Sequence, residues 1–305
     1  MVRFYTLGSF ELLDGDPPAV RPVPAQPKRL ALLAYLALEL PRGFHRRDAL
    51  LALFWPELAG DEARRALRQA LHHLRRTLGE GAIETRRDDQ VRLTDGAIWC
   101  DALAFEGAVA GDRPDEALAH YRNAFLHGVH LPDVAPELEE WIERTRARLH
   151  QSAGRAAARL SQQAEGGGDL ARAVDAARVA HDLSPHDEVG ARRLMQLLDR
   201  LGDRAQALQV YERLVRRLAT DYETTPSHET AALARKLRGS PPPAEAEALK
   251  SSALVPSARP GSLAPERPRG FRGSWRAAAV PAAMLLIAGM LAVRAWRPAP
   301  PTLLS

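Results

Sequence analysis

The sequence predicts a mostly α-helical protein. An N-terminal winged helix-turn-helix of α/β type comes first, followed by an all-α domain of tetratricopeptide-like helices, a disordered linker and a C-terminal transmembrane helix. Three observations carry that prediction. A strongly basic amphipathic helix lies between a short helix and a strand pair within the first hundred residues. From Asp101 to Arg238 the pattern is entirely helical, and a Gly-Asp landmark recurs at an offset of 34 residues, close to the tetratricopeptide period. Beyond a segment rich in Pro, Ala, Ser and Gly, the run Ala277 to Val293 holds 17 positions without a charge.

The elements follow in order. Val2 to Leu7 and Phe10 to Leu13 are short apolar runs broken by Gly8-Ser9 and closed by Asp14-Gly15-Asp16-Pro17-Pro18, which predicts a small antiparallel sheet. Pro27 suits a first helical turn, and Leu30, Leu33, Ala34 and Ala37 recur at i, i+3, i+4 and i+7, so a helix runs to about Leu40. Asp48 to Phe54 makes a second, shorter helix stopped by Pro56. After the basic helix, Ile83 to Arg86 and Val91 to Leu93 flank the polar turn Arg87-Asp88-Asp89-Gln90 and predict a terminal hairpin. Sheet, three helices and hairpin together define residues 1–100 as the winged domain.

The basic helix spans Asp61 to Leu78. At about 100° per residue, Ala63, Leu67, Ala70, Leu71, Leu74 and Leu78 share one side, while Arg64, Arg65, Arg68, Gln69, His72, Arg75 and Arg76 share the other. Asp61 and Glu62 occupy the first turn, where carboxylates complement the helix dipole, and Gly79 supplies a left-handed stop. Such a helix buries one stripe and offers a cationic face to a polyanion. Arg can bond guanine bidentately and Gln adenine, so this residue set suits a base-reading surface.

A chain of 305 residues with 46% hydrophobic content can fill two cores, and its net charge of +4 favours anionic partners only weakly. The single cysteine, Cys100, excludes an internal disulfide framework and any multi-cysteine zinc site. No N-terminal signal peptide is read in Met1 to Leu7. Enzymatic chemistry is not expected. None of Lys28, Lys236 and Lys250 follows a glycine, so a phosphate-binding loop is missing, and no Gly-x-Ser-x-Gly elbow occurs. His120, His127 and His130 lack a metal-ligand spacing, so neither metal nor cofactor is expected.

Residues 101–238 carry the repeat. Gly168-Asp169 leads to Ala173, Ala177, Ala180 and Pro185, and Gly202-Asp203 leads to Ala207, Tyr211 and Leu214. An earlier copy, Gly111-Asp112 followed by Ala117, Tyr121 and Ala124, has one extra residue before the small position. Stacked helical hairpins of this kind leave a concave surface for a protein partner. Glu137, Glu139, Glu140 and Glu143 with Arg144, Arg146 and Arg148 read as a self-pairing charged helix, and Trp141 reads as core.

Residues 239–274 read as a disordered linker, 275–297 as a transmembrane helix and 298–305 as a short tail. The charge-free run spans about 26 Å, slightly less than a hydrocarbon core of about 30 Å. Trp275 and Trp296 flank it, and Arg267, Arg269, Arg272 and Arg276 precede it against Arg294 and Arg297 after it. That bias predicts a single pass through the inner membrane with the N-terminal domains in the cytoplasm.

These landmarks together resemble a known family. Leu7-Gly8-Ser9-Phe10-Glu11-Leu12, Arg47-Asp48-Ala49-Leu50, Phe54-Trp55-Pro56, Ala63-Arg64-Arg65-Ala66-Leu67 and Leu74 to Gly79 are similar to the winged domain of SARP-type bacterial transcriptional activators. Gly128 to Pro132, Glu140-Trp141-Ile142 and Thr225 to Thr230 are similar to their bacterial transcriptional activator domain. The resemblance covers about Val2 to Arg238. It implies an OmpR-like winged helix whose third helix enters the DNA major groove, with Arg65, Arg68, Gln69 and His72 toward base edges and Arg64, Arg75 and Arg76 toward phosphates. It implies wing contacts through Arg86, Arg87 and Arg92, although Gln90-Val91 stands where the family usually has Gly-Tyr. It also implies self-association on promoter repeats and an RNA polymerase contact at the loop carrying Glu57 and Leu58. The competing reading is a membrane-anchored helical-repeat scaffold whose winged domain no longer binds DNA.

Overall fold

The structure, a computed structural model, describes residues 2–15, 21–22 and 26–239. The expected linker from residue 240, the transmembrane helix and the tail lie outside the described residues. Among the described residues no helix is long and apolar enough to cross a membrane.

Strands β1 (Arg3–Tyr5), β2 (Glu11–Asp14) and β3 (Arg21–Pro22) open the chain and are followed by α1 (Pro27–Leu38). Then come β4 (His45–Arg46), α2 (Arg47–Phe54), α3 (Gly60–Leu78), β5 (Ile83–Arg86), β6 (Gln90–Leu93) and β7 (Trp99–Cys100). The first sheet has the order β3-β2-β1-β7. It is not purely antiparallel as the sequence suggests, because β7 pairs parallel to β1 with Phe4 opposite Cys100. A parallel pair needs a long crossover, and here the whole winged domain between β1 and β7 supplies it. Two residues are too few to display strand alternation in the sequence. The hairpin β5-β6 forms as read, and β4 adds a third strand that places His45 opposite Val91.

Seven further helices complete the fold: α4 (Asp101–Ala110), α5 (Pro114–His120), α6 (Pro136–Gly166), α7 (Leu170–Leu183), α8 (Glu188–Arg200), α9 (Arg204–Tyr222) and α10 (His228–Gly239). Gly239, read as linker, thus closes α10. The expectation of an entirely helical domain fails over residues 121–135. Helix α5 stops at His120, so Tyr121 and Ala124 leave the repeat pattern. Leu126 (φ 49°), Gly128 (φ 72°) and Asp133 (φ 53°) are left-handed, and Pro132 follows. The backbone of this segment pairs instead with Thr6 and Leu7, just past the end of β1. Leu126 N–H donates to the Thr6 carbonyl at 2.9 Å, and Leu7 bridges Phe125.

That strap joins the two parts of the chain. One hydrophobic core runs unbroken from Val2 to Ala156, through Phe4, Leu50, Phe54, Phe105, Phe125 and Trp141. Tyr35 of α1 lies with its ring 5.9 Å from Phe54 and 4.9 Å from Trp141 of α6. Arg146 of α6 donates to the carbonyls of Phe125 (2.9 Å) and Leu126 (3.3 Å), holding the strap down. At the domain junction the buried Asp101 carboxylate accepts from Thr6 N–H, the Thr6 hydroxyl, Leu7 N–H and Ala102 N–H at 2.8–3.0 Å. Burial pushes its pKa up, and those four donors hold it back.

A second core, from Ala164 to Leu237, fills the last four helices. The 34-residue period has a local cause. Gly168 (φ 82°) and Gly202 (φ 88°) end one helix in the left-handed region, and Asp169 and Asp203 cap the next by accepting from Arg172 and Gln206 N–H at 3.0 Å. Ala173 and Ala207 then bury completely where helices approach. In the earlier copy Asp112 is itself left-handed (φ 50°) and pairs with Arg159 rather than capping α5.

Two carboxylates tie these hairpins together. Glu165 of α6 meets Arg193 (2.7 Å) and Arg200 of α8, and Arg200 chiefly holds its pKa below the usual range. Glu188 accepts from Ser227 N–H and hydroxyl and from the Thr230 hydroxyl at 2.5–2.9 Å; burial raises its pKa, but these donors outweigh it and the shift is downward. Both folded pKa values lie below the unfolded value of about 4.3, so their stabilisation is complete above that pH and is lost as pH falls through the folded values. Amide exchange in α8 to α10 is therefore expected to accelerate below about pH 4 ahead of exchange in α1 and α3. Equal acceleration in all these helices would contradict this.

Candidate nucleic-acid interface

Helix α3 is held by one stripe and exposes the other. Ala63, Leu67, Ala70, Leu71 and Leu74 are buried and Leu78 packs partly against the same core, so the predicted stripe is the packed one. Gly79 ends the helix at φ 105°, with its N–H donating to the Arg75 carbonyl at 2.8 Å. Helix α2 and the five-residue loop 55–59 set the angle at which α3 leaves the core. Trp55 closes that loop from beneath, its ring 5.9 Å from Phe54.

The seven polar residues of the outer face separate into three groups. Arg65, Arg68, Gln69, His72 and Arg76 have no hydrogen bond or ion pair with any described residue. His72 and these arginines are exposed, as is Gln69. Arg64 pairs with Asp61 at 3.1 Å, an exposed i,i+3 contact of the kind that contributes little. Arg75 is committed to the protein itself. Its Nε and Nη2 donate to the Ile83 carbonyl at 3.2 Å, and Nη2 donates to Thr85 Oγ1 at 2.7 Å. It is a strut that fixes the wing against α3.

The wing divides similarly. Arg92 donates to Glu84 at 2.7 Å and lies 4.9 Å above the Phe44 ring, so its charge is partly used within the hairpin. Arg86 lies 5.5 Å from the same ring and remains exposed, as does Arg87 at the tip. Arg87 (φ 50°) and Asp88 (φ 56°) are both left-handed. Asp88→Gly is expected to raise stability by about 0.5–1 kcal/mol, because glycine takes this conformation without a Cβ clash. A urea midpoint shifted downward would show that the Asp88 side chain stabilises the turn by another route.

One member of the site was missed by sequence reasoning. Arg47 opens α2, and its backbone N–H donates to the Asp89 carbonyl of the wing turn at 2.8 Å. Its Nε is buried without a hydrogen-bond partner. Burial lowers its pKa first, the nearby Arg75 and Arg68 lower it further, and Asp88 opposes them. Three guanidiniums therefore converge where α2, α3 and the wing meet. Arg47 lies far from Arg68 in the chain, and only the β4-β6 pairing brings them together, so no local pattern could have shown it. The result is a cluster of positive charge at that corner, which suits a polyanion.

The remaining candidates are placed as follows. Glu57 is exposed and lies 3.8 Å from Lys28, which also donates to the Asp133 carbonyl at 2.8 Å, while Leu58 packs partly on the core. His120 lies edge-on to Trp99, and among the described residues no cluster of three or more His, Cys, Asp or Glu could hold a metal. Cys100 is buried, and burial followed by the Asp101 charge pushes its thiol up to about 12.

Comparison with known proteins gives the surface its context. Residues 101–238 match the bacterial transcriptional activator domain. The structure is similar to that of Mycobacterium tuberculosis EmbR, solved in complex with a low-affinity phosphopeptide, at 22% identity and a TM-score of 0.55, covering 83% of this chain and 69% of that one. No curated protein sequence matches. A winged helix-turn-helix built into one core with such a domain defines a bacterial transcription regulator. Within that class, the pairing of a winged domain with a bacterial transcriptional activator domain over residues 101–238 is similar to that of the SARP-type activators.

Proposed function

We propose that this regulator binds promoter DNA in a sequence-specific way, as an activator acting on repeated sites. The observation that carries the reading is the set Arg65, Arg68, Gln69, His72 and Arg76, aligned on one face of α3 with no partner among the described residues. These unmatched side chains lie on one helix face beside Arg47 and the exposed Arg86 and Arg87 of the wing, a grouping that suits phosphate and base contacts. With α3 in the major groove, Arg65, Arg68, Gln69 and His72 face base edges, while Arg64, Arg76, Arg47, Arg86 and Arg87 face phosphates. The protein acts through binding and not through catalysis.

Glu57, held near Lys28 on the loop between α2 and α3, is the residue offered to RNA polymerase, with Leu58 beneath it. The run Ala277 to Val293 tethers the regulator to the inner membrane, and the helical domain is available for self-association or for a protein partner. Recovery of the full chain in the soluble fraction after carbonate washing would reject the tether.

Fluorescence anisotropy with genomic promoter fragments across a salt series tests the central claim. Affinity is expected to fall steeply with salt, with a log-log slope of about −0.9 for each phosphate neutralised. A flat response would favour the helical-repeat scaffold reading instead.

A further inference from the structure

Far from the winged domain, a pocket of about 400 Å³ opens between α7 and α9 beside Pro185, a volume within the range of small-molecule sites. Its walls carry an unusual charge arrangement. Several arginines of the neighbouring helices are matched: Arg159 with Asp112, Arg192 with Glu229, Arg193 and Arg200 with Glu165. Arg213, Arg216 and Arg217 line the pocket and have no hydrogen bond or ion pair with any described residue. Their i, i+3, i+4 spacing puts all three on one face of α9. Like charges so grouped repel one another unless an anion sits among them.

His181 forms the inner wall and is only 7% exposed. Its Nδ1 is closed off without a hydrogen-bond partner, so Nε2 is the nitrogen left to meet whatever enters. Burial lowers its pKa, with Arg213 and Arg217 adding to that effect and Asp182 and Asp187 opposing it, so the ring is neutral at pH 7 and can carry an N–H donor. Asp182 and Asp221 share the lining, two carboxylates against three guanidiniums, which leaves the pocket net positive. An anion with several acceptor oxygens meets that pattern, and a guanidinium fork matches phosphate in shape.

We propose that this pocket is a binding site for a small phosphate-bearing ligand, with Arg213 and Arg217 gripping the phosphate while His181 and Thr220 orient it. Inorganic phosphate is the probe, titrated calorimetrically into the full chain against chloride at matched ionic strength. Phosphate is expected to bind and to raise the melting temperature. The Arg213→Ala/Arg217→Ala variant is expected to lose affinity at least about tenfold, with its melting temperature in chloride unchanged, because both side chains are exposed and unpartnered. The Arg65→Ala/Arg68→Ala variant is expected to bind phosphate as the natural chain does, which separates this site from the DNA-facing helix. If the double variant on α9 melts early in chloride, Arg213→Gln and Arg217→Gln are titrated singly, each with an expected loss of about threefold or more. Equal effects of phosphate and chloride, or loss of binding only in the α3 variant, would overturn the proposal.

Discussion

Replacing Arg65 and Arg68 together by alanine is expected to abolish specific promoter binding while leaving the fold intact. Each base-reading arginine is worth about 1–3 kcal/mol, so the pair should weaken binding at least about thirtyfold. Neither side chain has a partner among the described residues, so thermal unfolding should not move. The salt slope should also become shallower as phosphate contacts are lost with them. Arg75→Ala provides the contrast from the same helix face. Its guanidinium holds Ile83 and Thr85 of the wing, so its loss should lower stability by about 1–2 kcal/mol and weaken binding only through a loosened wing. Anisotropy and urea denaturation on the two variants separate these effects. A double variant that still protects promoter DNA at natural affinity would remove α3 from the reading surface.

The largest expected loss of stability comes from a residue outside the cationic surface. Asp101→Ala leaves the N–H groups of Thr6, Leu7 and Ala102 without their acceptor inside a closed junction. Each stranded donor costs about 1–3 kcal/mol, and partial rescue by entering water brings the expected total to about 3–5 kcal/mol. That is a large fraction of a typical domain's stability. Asp101→Asn should recover only part of it, because its amide nitrogen cannot accept from these donors. The damage should also be directional. Thr6 and Leu7 anchor both β1 and the strap at Phe125 and Leu126, so amide exchange at Leu126 is expected to rise with the loss of Asp101. A urea midpoint within about 0.5 kcal/mol of the natural chain would show that the junction does not depend on this carboxylate.

Much of the fold was legible because its causes are local. The stripe Ala63, Leu67, Ala70, Leu71, Leu74 is set by helical spacing alone, and it is the stripe that packs. The 34-residue repeat is legible because Gly168-Asp169 and Gly202-Asp203 each end one helix and cap the next within a few residues. The hairpin Ile83 to Leu93 reads from its polar turn. What escaped the sequence depends on pairing between distant segments. Strand β7 is two residues long, and the strap over residues 121–135 looks helical by composition until Thr6 and Leu7 claim part of its backbone.

The candidate site divides along the same line. By itself the sequence determined which residues share the cationic face of α3, because residue spacing on a helix dictates direction. Only the tertiary structure decided what each of them is free to do. Arg68 and Arg75 point the same way by periodicity, yet the wing folds back onto Arg75 and leaves Arg68 open. Arg47 joins them through a sheet that no local pattern encodes. Asp101 becomes the hinge pin of the molecule because β1 and the strap arrive from far along the chain to meet it. Local spacing sets the orientation of a side chain, whereas its availability is set by whichever distant backbone folds against it.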